Sequence, residues 1–132
     1  MKEILHKGKS ITTGEWVYGY LVDKICVSKP VIIIASTLKD DGKFNFDYIR
    51  VDPDTVSQFI GKHDMNCRRI FEGDILISAW KTKIVVFFDE DYLQFRAREV
   101  SACARENTID YYDNGKMEVI GNIHDNPELV HV

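Results

Sequence analysis

The sequence predicts a mainly β protein, a single antiparallel barrel- or sandwich-like domain with short helical turns, and three observations predict it. Aromatic and β-branched residues alternate with polar ones at period two in short stretches. Turn-forming residues interrupt those stretches roughly every eight to twelve positions. Each apolar stretch is also too short for a helix-dominated fold. At 132 residues the chain has the size of one ordinary domain, so residues 1–132 are expected to form one unit.

The first strand is residues 16–22 (WVYGYLV), where Trp16, Tyr18, Tyr20 and Val22 share one face and Val17 and Leu21 the other. Both faces are expected to be at least partly covered. Thr12-Thr13-Gly14 before it suits a hairpin turn. Residues 30–36 (PVIIIAS) are an apolar run opened by a proline, the pattern of a buried strand. Asp40-Asp41-Gly42-Lys43 then reverses the chain. Phe44, Phe46 and Tyr48 alternate with Asn45 and Asp47 as a half-buried strand returning from that turn. Further on, residues 58–61 and 69–71 read as hairpin arms around a polar loop that Gly61 and Lys62 open and that runs through Asn66.

Gly73 permits a tight entry into the strand that starts near Ile75. Lys81-Thr82 turns the chain into residues 83–88 (KIVVFF), and Asp89-Glu90-Asp91 is a polar break. Leu93, Phe95 and Ala97 then face one way, with Gln94, Arg96 and Arg98 the other. Residues 100–106 (VSACARE) suit a short helix as well as a strand. Asp113-Asn114-Gly115-Lys116 contains the Asn-Gly pair preferred in type I′ turns, and residues 117–123 form the last strand. Gly121 within it signals a bulge or a close backbone approach. Asn126 as an N-cap, Pro127 at the first helical position and Leu129 over the core predict a one-turn helix at the C-terminal end.

Composition narrows the function classes. Apolar content of 45% and charged content of 29% are globular values and exclude a disordered chain. A formal charge of −4, from 21 acidic and 17 basic side chains, argues against bulk binding to nucleic acid or an anionic membrane. Cys26, Cys67 and Cys103 are odd in number and widely spaced, which suits reduced thiols in a cytosolic protein rather than a disulfide framework. The first ten residues lack the apolar core of a signal peptide. The longest apolar run, residues 31–35, is far short of the ~20 residues that a membrane helix needs. A cytoplasmic protein without membrane attachment is expected.

Three ordered blocks carry a resemblance. In residues 55–76 (TVSQFIGKHDMNCRRIFEGDIL) the positions are Thr55, Gln58, Gly61, Ile70, Glu72, Gly73 and Asp74. In residues 118–129 (EVIGNIHDNPEL) they are Ile120, Gly121, Asn122, Asn126, Pro127 and Leu129. With residues 14–21 (GEWVYGYL), these blocks resemble the YopX family, proteins encoded by bacteriophages and prophages. The resemblance implies a mostly β protein of a bacterial host's phage and names no reaction. One departure is Cys67, where the family pattern has Gly after Asn66; Asn66 tolerates the left-handed conformation, so the turn is expected to survive with altered geometry.

The block residues Gly73, Gly121, Asn126 and Pro127 have backbone roles that need no ligand. A functional use of the same blocks would place Glu72, Asp74 and Asn122 around a polar cleft. Other chemistries lack their partners. Gly8-Lys9-Ser10 has Glu3 where a phosphate-binding loop needs its first glycine. His63 and Cys67, four apart, lack a second ligand pair for zinc, and His124 and His131 stand alone near the terminus. Asp89-Glu90-Asp91 lacks the glycine and closing glutamate of a calcium loop. No serine has a nucleophile setting, and Cys26 and Cys103 read as core thiols. No cofactor or metal is expected.

The leading function is therefore a non-catalytic β interaction module that binds a host or phage protein, supported by the surplus of aromatics. Self-association through a strand edge suits the same features. A nucleic-acid-associated role is the alternative, resting on Arg68, Arg69, Arg96 and Arg98. An enzyme using the carboxylates of Glu72 and Asp74 comes third.

Overall fold

The structure, a computed structural model, describes residues 4–22, 31–38, 41–112 and 116–131. Period-two sequence becomes strands β1 (His6–Lys9), β2 (Trp16–Val22), β3 (Val31–Leu38), β4 (Phe44–Arg50), β5 (Ser57–His63), β6 (Arg69–Phe71), β7 (Asp74–Ile77), β8 (Lys83–Asp89), β9 (Gln94–Glu99), β10 (Glu106–Thr108) and β11 (Glu118–Asn122). Short 3₁₀ turns occur at Pro53–Thr55, Ile109–Tyr112 and Pro127–Val130. Two antiparallel sheets form, ordered β4-β3-β2-β1-β5-β6 and β10-β9-β8-β7-β11, and neither closes into a barrel. The mainly β antiparallel class with a C-terminal helical turn is as expected. Contacts gather the chain into two compact units, Met1–Gln58 and Phe59–Val132.

In the first unit, register decides which side chains are covered. Ile32 of β3 lies opposite Leu21 of β2 and Ile49 of β4, and Ile32 and Val51 are fully buried. Burying such a side chain stabilises by about 1.5–3 kcal/mol. The end of β4 meets the end of β1 through a Ser10–Val51 bridge and a hydrogen bond from Asp52 N to Lys9 O of 2.8 Å. Thr55 then accepts from Lys9 N at 2.9 Å and donates to Asp52 O at 2.7 Å, which secures the 3₁₀ turn leading into β5. The turn before β2 forms as expected, with Gly14 N donating to Ser10 O at 2.9 Å.

One expectation for this unit fails. Because Ile49 takes the inner face, the intervening Phe46 and Tyr48 stand outward and exposed instead of covering the core. The even-numbered face of β2 is partly covered, as expected, with Trp16 and Val22 half-buried and Tyr18 and Tyr20 exposed. Cys26, Pro30 and Asp40 lie outside the described residues, though Asp41 Oδ1 accepts from Lys43 N at 3.0 Å in the expected turn.

The second unit is built on a core of Ile70, Leu76, Ile84, Val86, Ala97, Ile109 and Met117. Leu76 pairs with Ile84 and Val86 with Ala97 across adjacent strands, so one face of the five-stranded sheet supplies most of it. β5 continues to His63 through a register shift, so the polar loop begins at Asp64 rather than at Gly61. Leu93 has φ 52° and belongs to the β8–β9 turn instead of β9, where it is exposed. Residues 100–105 form a turn, neither helix nor strand, with Ala104 at φ 45°. Cys103 is exposed there, not in the core. The Asn114-Gly115 turn falls outside the described residues.

Candidate functional site

Glu72, Asp74 and Asn122 gather at one end of the β7–β11 pair. Asp74 and Asn122 are register partners, and Glu72 sits in the turn just before Asp74. Gly73 makes that turn with φ 87°, a left-handed conformation that glycine adopts without a Cβ penalty. Buried Asp74 accepts from Phe71 N at 2.8 Å. Asn122 Oδ1 accepts from His124 N and Asp125 N, both at 2.9 Å, and its Nδ2 donates to Asp125 Oδ2 at 3.1 Å. These bonds tie the turn that precedes the last 3₁₀ segment.

Gly121 explains the rest of this block. The β11 register shifts between Val119 and Gly121, and a Cβ on Gly121 would lie 2.8 Å from Asn126 Cγ. Asn126 folds back over the glycine, and its Oδ1 accepts from Asn122 N at 3.3 Å. Its side chain therefore makes no cap for the Pro127–Val130 turn, contrary to the sequence expectation, although its backbone occupies that position.

The four arginines split into two pairs. On β9, Arg96 Nη1 meets Asp89 Oδ2 at 3.2 Å, its Nη2 donates to Glu106 O at 3.2 Å, and its guanidinium lies 4.4 Å from the Tyr92 ring centroid. Arg98 pairs with Glu106 Oε1 at 3.0 Å and covers the Phe87 ring. Carboxylates thus oppose both cations on that face. Arg68 and Arg69 are exposed near β6, with Arg69 5.9 Å from the Phe59 ring. Among the described residues, no three His, Cys, Asp or Glu side chains gather as a metal site, and no helix is long and apolar enough to cross a membrane.

Sequence reasoning missed Asp64, which organises the β5–β6 loop. Its Oδ1 accepts from Asn66 N at 2.9 Å and Arg68 N at 2.8 Å, and its Oδ2 from Val119 N at 3.0 Å. Burial alone would push the Asp64 carboxyl up. The amides of Val119, Arg68 and Asn66, with the Arg68 charge, outweigh burial and hold it below the usual carboxylate range. Cys67, not Asn66, takes the left-handed position, at φ 63°. An Asp two residues before an Asn in a polar loop is an Asx-turn signal that was legible. Burial also raises the Tyr112 phenol, whose hydroxyl donates to Glu99 Oε2 at 3.0 Å.

The most open chemistry lies on the outer face of the first unit's sheet. Tyr20 of β2 and Tyr48 of β4 flank Ile33 of β3 in register, and both are 70% exposed. Tyr18 and Phe46 stand two residues further along their strands, also exposed. Trp16 continues the row on β2, with Lys7 Nζ 4.4 Å and Lys9 Nζ 5.4 Å from its ring. Arg50 closes the β4 side, and a cleft of about 600 Å³ opens beside Tyr48 and Arg50, walled by Thr12, Thr13 and Glu15. Among the described residues of β1, β2 and β4, no position on this face is Asp or Glu.

The family described as YopX protein matches residues 9–131. No curated protein matches. Among solved structures, the crystal structure of protein EF1440 from Enterococcus faecalis is similar, with a TM-score of 0.57 at 18% identity over 99% of this chain and 100% of that one. That likeness concerns the fold.

Proposed function

The chain belongs to the YopX family, and from that premise we propose that it is a non-catalytic binding module, encoded by a phage or prophage and acting in the host cytoplasm, that engages a partner through its open aromatic face. One observation carries the reading: Tyr18 and Tyr20 of β2 and Phe46 and Tyr48 of β4 stand exposed on the two strands that flank β3. Tyr20 and Tyr48, each 70% exposed, and the half-exposed Tyr18 and Phe46 forgo much of the burial that is favourable at roughly 25 cal/mol per Å². Tyrosine and tryptophan offer wide, stiff contact areas and dominate binding hot spots. The amides around Asp74 and Asn122 and the carboxylates around Arg96 and Arg98 give those residues roles within the fold, which supports the aromatic face over either as the binding surface.

The test compares baits in lysate from infected host cells. Wild type, a Tyr20→Ser/Tyr48→Ser double variant and a Trp80→Ser control are immobilised in equal amounts, after melting curves establish that each is folded. The expected result is a species retained by wild type and the control and lost with the double variant. Equal retention by all three would sink the assignment to this face.

A further inference from the structure

We draw no further inference here: the strongest candidate, the open aromatic face of β2 and β4 with the cleft beside Tyr48 and Arg50, selects no ligand class, because the Ser10–Val51 bridge brings Lys9 and Arg50 together with Asp52 and nothing in the structure shows what covers the rings.

Discussion

Asp64 is the residue whose role is hardest to infer from its neighbours and simplest to test. It is 5% exposed, and three backbone amides converge on its carboxylate. Asp64→Asn removes the charge and turns one acceptor into a donor, so urea unfolding should show a loss of about 2 kcal/mol at neutral pH. Its folded pKa lies below the ordinary 3.8, so its contribution is complete above that value and is lost as pH falls through the lowered one. The gap between wild type and Asp64→Asn should therefore hold from neutral pH to about pH 4 and close in stronger acid. Cys67 beside it pays for a left-handed backbone at φ 63°. Cys67→Gly should raise stability by up to about 1 kcal/mol, since the strain relieved exceeds the entropy that glycine adds to the unfolded chain. Gly121→Ala should cost about 1–3 kcal/mol through its clash with Asn126, and part of that should return in an Asn126→Ala background. The sequence flagged Gly121 by its place in a strand. It could not show that Asn126 is what approaches.

Elements differ in how their charges are embedded. On the β8–β9 hairpin, Asp89 and Arg96 have side chains only 11% and 14% exposed, and Arg96 Nε has no hydrogen-bond partner among the described residues. Asp89→Ala would strand that guanidinium, so thermal unfolding should register a loss of about 2–3 kcal/mol. The Lys62–Asp110 pair is solvent-exposed, and Asp110→Ala should cost less than about 1 kcal/mol. Trp80, 90% exposed on the β7–β8 turn, serves as a control for the same reason: Trp80→Ser should change stability by no more than about 0.5 kcal/mol. Most strands were legible because period-two alternation and turn residues are local. The burial side of β4 was not, because Phe46 and Tyr48 look more core-like than Asn45 and Asp47. Pairing of Ile49 with Ile32 turns those aromatics outward, and the candidate site exists because of it.

At the scale of the whole molecule, long-range pairing governs folding. His6 and Lys7 of β1 pair with Gln58 and Ser57 of β5, and Asp64 reaches Val119, 55 residues on. Such non-local contacts close large loops before they stabilise anything, so stopped-flow refolding should take milliseconds to seconds rather than microseconds. A helix-like microsecond phase carrying the full amplitude would contradict this topology. The sequence by itself determined the β class, the turns at Gly14, Gly42 and Gly73, the bulge at Gly121 and the C-terminal turn at Pro127, because each depends on φ/ψ preference and spacing within a few residues. The family blocks were legible for the same reason, being mostly turn chemistry. Tertiary structure alone decided that Arg96 and Arg98 face carboxylates, that three amides converge on Asp64, and that Tyr18, Tyr20, Phe46 and Tyr48 share an open face. Each of those depends on register between strands distant in sequence, and a slip of one residue would send every side chain to the opposite face.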